Sequence, residues 1–255
     1  MIKINRPAKV PAKLTKDGVT QTHNNVAAYN LAPRGYISGV HKFKILPKIY
    51  GHKSVKSSLK KSQHNKCCFC EKNHVEEHGA VEHFRPKGGF KINRTQKTLT
   101  QPGYYWLGYS WDNLFYVCSF CNGANHKGNL FPLVNEAIRA TSHNGNINAE
   151  DPYLIDPSVI NPRDHIYFKG ELAYGSTKYG SETINICGLN RESLFNKRKE
   201  HIEHLDMRLF LITKSADQDS AEVKKAKAYL KDAVLPSAEF SAMAANYLSQ
   251  FNIQQ

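Results

Sequence analysis

The chain has 255 residues, 40% of them apolar, with 12 Phe and 13 Tyr, which is enough for a folded protein with its own core and too much for a disordered polymer. No apolar run approaches the roughly 18 residues of a membrane span, and the opening Met1-Ile-Lys-Ile-Asn-Arg-Pro lacks the apolar stretch of a signal peptide, so a cytoplasmic protein without a membrane partner is expected. The net charge of +13 is concentrated: residues 1–66 carry 14 Lys and Arg against one acid, Asp17, whereas residues 67–255 carry 21 of each sign. Such asymmetry points to a polyanion, since each phosphate neutralised releases condensed counterions; a solvated basic face is the ordinary alternative.

Residues 1–35 contain Pro7, Pro11 and Pro33 and show little periodicity, which predicts an extended arm with one short helix around residues 26–29. Val55 and Leu59, with lysines between and around them, Lys53, Lys56, Lys60 and Lys61, predict a basic helix between about residues 50 and 65. Residues 80–84 alternate apolar and polar as a strand does, ended by Pro86 and Gly88-Gly89. A loop follows over 87–103 with Lys87, Lys91, Arg94 and Lys97 and no acid, and the aromatics in or after it, Phe90, Tyr104, Tyr105 and Trp106, read as core. Residues 114–118 form a second predicted strand, and 122–127 the start of a short helix stopped by Gly128.

Beyond Pro132 the chain is polar and Pro-rich, then 165–169 and 171–174 face each other across Gly170 as a predicted hairpin. Leu194, Ile202, Leu205, Leu209 and Ile212 follow the helical period, with Asn190 placed to cap them. Asp219 and Glu222 have capping-box spacing before a helix over 221–234, and Ala242, Ala245, Leu248 and Phe251 give a last helix one apolar side. The expected organisation is a basic N-terminal region (1–66), a core (67–132), a Pro-rich connection with a hairpin (133–180) and C-terminal helices (181–255).

Cys67-Cys-Phe-Cys70 and Cys118-Ser-Phe-Cys121 are two C-x-x-C pairs, which together supply four thiolates to one tetrahedral ion. Four thiolates leave no open coordination position, so Cys67, Cys70, Cys118 and Cys121 are assigned to structural Zn²⁺ rather than to catalysis or dithiol redox chemistry. Cys68 and Cys187 are left over and read as packing residues. The pairs bracket Val81-Glu82-His83 and Asp112-Asn113-Leu114, with Asn122 and His126 just beyond, so a metal staple would bring these groups to one place.

In that order of elements, with Asn113 and Asn122 nine apart, the chain resembles the zinc-stapled HNH (ββα-metal) nucleases. Phe84-Arg85-Pro86-Lys87, Tyr153-Leu-Ile-Asp-Pro157, Gly188-Leu-Asn-Arg-Glu-Ser-Leu194 and Phe240-Ser-Ala-Met further resemble the HNH subunit of Septu-type and retron-associated anti-phage systems, which acts beside a partner ATPase. The resemblance implies an α+β fold with a zinc-stapled ββα-metal core, and an endonuclease hydrolysing phosphodiester bonds of DNA, or of RNA such as tRNA, to leave 5′-phosphates. Histidine ordinarily titrates near neutrality, so His83 suits the general base. Glu82, standing where the family more often has Asp, and Asn122 offer oxygen ligands to Mg²⁺ or a similar divalent cation. His126, four residues after Asn122, is a further candidate ligand, and the family's central amide, which locks the strands and orients the base, falls on Asn113. Arg85, Lys87, Lys91, Arg94 and Lys127 are the candidate nucleic-acid contacts. A catalytically silent zinc-ribbon subunit that binds nucleic acid or acts as a scaffold is the alternative.

Overall fold

The computed structural model describes residues 1–73 and 79–251 and is a mixed α+β chain with two small antiparallel sheets. Its beginning departs from the expected arm. Met1, Ile2 and Ile4 lie in the main hydrophobic core together with the cysteines, and the Ile4 amide donates to the Pro157 carbonyl at 2.8 Å. A π-helical turn, Leu14–Gly18, runs into α1 (Val19–Leu31). Pro33 then opens α2 (Pro33–Ile37), where its missing N–H has no helical partner to lose. Asn25 is the buried residue of α1, so the helix carries no apolar stripe by which periodicity would reveal it. After α3 (Pro47–Tyr50), α4 (Lys53–Ser62) turns Val55 and Leu59 fully inward and its lysines outward, as predicted.

β1 (Ala80–His83) and β2 (Leu114–Val117) pair antiparallel, with Ala80 opposite Val117 and His83 opposite Leu114. The alternation sorts their side chains: Val81, Leu114 and Tyr116 pack with Val55 and Leu59 of α4, while Phe115 and Val117 enter the main core. Gln63, at the end of α4, acts as a side-chain strand for β2. Its Oε1 accepts from the Tyr116 amide at 2.9 Å, and its Nε2 donates to the carbonyls of Tyr116 at 2.7 Å and Lys66 at 3.0 Å. The helix end, β2 and the first cysteine pair are thereby tied together.

The helix expected over 122–127 is absent. Those residues form successive turns, with the Asn122 amide donating to Cys118, Gly123 to Phe120, His126 to Gly123 and Lys127 to Cys121. Six residues containing Gly123 and two Asn are too short and too weakly helical to offset nucleation. The hairpin forms as expected, β3 (Ile166–Lys169) against β4 (Leu172–Gly175) with Gly170 at φ +56°. An unpredicted helix, α5 (Lys178–Cys187), follows, capped by Thr177 Oγ1 on the Gly180 amide. Gly180 is required by close packing, since a Cβ there would stand 1.9 Å from the His165 carbonyl oxygen.

α6 (Glu192–Lys214), α7 (Ala221–Ala233) and α8 (Ser241–Leu248) bury Leu205, Leu209, Leu230, Ala233, Ala244 and Leu248 against one another. Both expected caps are corrected. Asn190 instead pairs its amide with the backbone N and O of Ala173, at 2.9 Å each, fastening α6 to the hairpin, and the cap of α7 is Ser220, whose Oγ accepts from the Val223 amide at 3.4 Å. Among the described residues no helix is long and apolar enough to cross a membrane.

Candidate metal centre and active site

Cys67 and Cys70 lie in the turn after α4, and Cys118 and Cys121 in the turn that leaves β2, so the tie between α4 and β2 sets the distance between the pairs. All four Sγ atoms are buried and lie within 4.8 Å of one another. Cys70 and Cys118 stand 3.8 Å apart, which is the edge length, about 3.8 Å, of a tetrahedron with zinc–sulfur bonds of about 2.3 Å. The Cys121 amide donates to Cys118 Sγ at 3.3 Å, and Arg191 Nη1 approaches Cys121 Sγ at 3.5 Å, both suited to sulfur carrying negative charge. Burial pushes the Cys67 thiol well up, and binding of an ion displaces thiol protons. The four cysteines can therefore hold a metal ion such as zinc. Cys68 and Cys187 are buried beside this cluster, and burial raises both thiols, as packing residues require.

His83 ends β1 and is 1% exposed. One nitrogen, Nε2, lies 2.9 Å from the Gly108 carbonyl, which can only accept; Nε2 therefore carries the hydrogen and Nδ1 the lone pair. Burial, then Lys87 and Lys127, hold the imidazole well below its ordinary titration, so it is neutral. Nδ1 faces Lys87 Nζ at 3.4 Å, and Tyr50 of α3 meets the ring edge-on with centroids 4.6 Å apart while Lys87 sits 5.0 Å over Tyr50. Asn113, at the entry to β2, fixes the surroundings of the imidazole. Its Oδ1 accepts from the Arg85 amide at 2.7 Å and its Nδ2 donates to the carbonyls of Arg85 at 3.1 Å and Leu107 at 3.2 Å. One amide thus joins the exit of β1 to the turn that presents Gly108.

Glu82 points to the opposite face of β1, where a cleft of about 640 Å³ is lined by Glu82, Lys87, Lys91, Arg94, Asn122 and His126, among others. The structure therefore gathers six of the sequence-selected groups around one opening, with His83 behind Lys87. Three of them differ from expectation. Without a helix over 122–127, Asn122 and His126 do not share a helix face; the His126 ring packs on Gly188, where a Cβ would come 2.1 Å from Cδ2, and donates to the Phe120 carbonyl. Arg94 extends its guanidinium to the carbonyls of Asn125 at 2.6 Å and Asn185 at 2.7 Å, clamping the loop to the end of α5.

Lys127 and Arg85, expected among the nucleic-acid contacts, each pair with a carboxylate. Lys127 is fully buried, and its three ammonium hydrogens meet Glu82 Oε1 at 3.0 Å and the carbonyls of His83 at 2.6 Å and Gly128 at 3.2 Å. Arg85 sets Nε on Glu150 at 2.9 Å, and Glu150 also accepts from the Tyr104 hydroxyl and the Ala140 amide, both at 2.9 Å. Sequence gave no sign of Glu150 or Tyr50, which act across the fold on Arg85 and His83; Arg191 did lie in a recognisable run, Gly188 to Leu194. Lys127→Met is expected to destabilise the protein by about 2–4 kcal/mol, somewhat below a fully buried pair because the Glu82 side chain keeps 15% exposure. Thermal melting should show a drop of roughly 5–10 °C; an unchanged melt would mean the ammonium is not the support of β1 that its contacts imply.

No family model matches the chain. It is 38% identical over 164 residues, 62% of its length, to Septu protein PtuB of Bacillus mycoides (strain KBAB4), covering 54% of that protein. It is 27% identical over 143 residues to Septu protein PtuA of the same strain, covering 20% of it, and 26% identical over 145 residues to Septu protein PtuB of Bacillus thuringiensis, covering 44%. The chain is thus homologous to Septu proteins and spans about half the length of the two PtuB relatives.

Proposed function

We propose that this chain is a metal-dependent HNH endonuclease that hydrolyses phosphodiester bonds and serves as effector of an anti-phage defence system beside a partner ATPase. The observation that carries the reading is the imidazole of His83, held neutral, with its hydrogen fixed on Gly108 and its lone pair directed at Lys87, a wall of the cleft that Glu82 and Asn122 also line. In this reading Nδ1 takes the proton of the attacking water, and the Gly108 carbonyl stabilises the imidazolium through Nε2–H. Asn113 acts as a positioning residue by fixing the Leu107–Gly108 turn. Lys87 and Lys91 meet the phosphate, Lys87 moving off Nδ1 as the anion enters.

The donor set of the cleft, a carboxylate and an amide oxygen with an imidazole close by, fits a hard divalent cation. Glu82 and Asn122 would hold Mg²⁺, with His126 joining on leaving Gly188. Such an ion, when bound, offsets charge on the phosphate and the leaving oxygen. The four-cysteine site would carry structural zinc. Met207, Phe210, Leu211 and Tyr229 are exposed on α6 and α7, and this face is where the partner subunit would dock.

The silent-subunit reading has one observation in its favour: Glu82 is already neutralised by Lys127. Incubation with plasmid DNA and with tRNA, in Mg²⁺ and in chelator, separates the two. Metal-dependent appearance of 5′-phosphate ends on either polymer is expected. Binding of both polymers with no cleavage, in the chain alone and in the complex purified with its neighbouring gene product, would establish the silent subunit instead.

A further inference from the structure

A second and larger cleft, about 1270 Å³, shares no lining residue with the first. Four stretches converge on it: the N-terminal segment with Lys3, Arg6 and Lys9, the end of α4 with Lys61 and His64, Arg163 before β3, and Val234 to Ser237 after α7. Among the described residues no Asp or Glu lines it. Arg6 is set in place by carbonyls, with Nη1 on Trp111 at 3.0 Å and Nη2 on Asp112 at 3.3 Å, and its guanidinium lies 4.2 Å over the Phe115 ring, while its Nε is buried with no hydrogen-bond partner. Lys3 reaches the Val159 carbonyl, and Lys9, Lys61 and Arg163 are exposed with no carboxylate partner among the described residues. Asp17, the one acid of residues 1–66, is engaged by Lys13. A concave wall of like charges repels itself, and folding retains it at a cost that an anion would remove.

We propose that this cleft is a second nucleic-acid subsite, which grips the sugar–phosphate backbone of the strand that the nuclease site cuts. The proposal rests on the nuclease reading for the identity of its ligand. Its size exceeds the about 300–1,000 Å³ that encloses a single small ligand, which favours a polymer over a free nucleotide. Among the described residues its walls hold no Phe, Tyr or Trp and only the imidazole of His64, while Pro7, Leu235 and Pro236 offer smooth apolar surface. Recognition therefore runs through phosphates, independent of sequence and steeply dependent on salt.

The test uses the full chain carrying His83→Ala, so that the polymer stays intact, with fluorescein-labelled single-stranded DNA and RNA of one sequence and anisotropy read across a salt series. Combining Lys9→Glu, Lys61→Glu and Arg163→Glu is expected to weaken binding of at least one polymer by about tenfold or more, and to make the log–log salt slope shallower by about 2–3. The triple Gln variant, which removes charge without reversing it, is expected to fall between. Unaltered affinity and slope in both triple variants would overturn the proposal, as would loss of a copurified partner with normal nucleic-acid binding. In the His83 background the same triple variants should hydrolyse bis(p-nitrophenyl) phosphate at the parent rate, since that ester needs only the first cleft. Failure of the parent itself on this ester and on polymer would count against the nuclease reading, leaving the groove to be judged on binding alone.

Discussion

His83→Ala should leave the fold and the four-cysteine centre intact and lower phosphodiester cleavage by about 10²- to 10⁴-fold, the range a positioned general base supplies. The imidazole's polar contacts, Gly108 at 2.9 Å and Lys87 at 3.4 Å, are few and local, so its removal opens a small cavity without undoing β1. Lys87 can turn to the cleft it already lines. Cleavage of the better polymer is to be followed as initial rate in saturating Mg²⁺, beside a melting curve and the bound-zinc content of the same preparation. Loss of activity with unchanged melting and zinc supports the base. Activity within a few-fold of the parent would remove His83 from the reaction and return the silent-subunit reading to the front. Asn113→Asp provides the complementary comparison: it keeps the Oδ1 acceptor for the Arg85 amide but replaces the donor that faces two carbonyls, so both stability and rate should fall.

The difference between what periodicity and spacing disclosed and what they concealed follows from the range of the interactions. Paired C-x-x-C spacing, the alternation in 80–84 and the apolar run after Asn113 are local signals, and β1, β2 and the cysteine cluster follow them. α6, α7 and α8 were legible because one side of each packs on the others. By contrast, α1 buries Asn25 and displays no stripe that reveals a helix, while α5 is short and contains Gly180, a weak helix former demanded by the close approach of His165, fifteen residues earlier in the chain. Charge was the least legible property. In sequence a lysine looks alike whether it meets phosphate or a buried carboxylate, and the acceptors of Lys127 and Arg85 lie 45 and 65 residues away at Glu82 and Glu150. Only Lys87 and Lys91 of the proposed contacts both line the cleft and remain without a carbonyl clamp of the kind that holds Arg94.

Removing the metal should have the largest effect on the protein as a whole. Cys118→Ser, or extraction of zinc by a strong chelator, is expected to abolish cooperative folding of the region around β1 and β2, because structural zinc in small stapled modules contributes about 10–16 kcal/mol against a net stability of about 5–15 kcal/mol. Local geometry explains why the loss would spread. The Cys68 amide donates to Tyr116, the Cys67 amide to Lys72, and Gln63 couples the same Tyr116 to the end of α4, so the knuckle and the strand are one hydrogen-bonded unit. Four buried thiols deprived of a cation would leave Arg191 facing neutral sulfur and the main core, which contains all four cysteines, without its central tie. Circular dichroism and zinc content measured through a chelator titration test this, with Cys68→Ser as control because that thiol lies outside the converging set. Identical melting of the zinc-loaded and zinc-stripped protein would mean that packing around the cysteines suffices by itself. In that case the placement of Glu82 and His83 would depend on Lys127 and Asn113, and the Lys127→Met melt would become the decisive measurement.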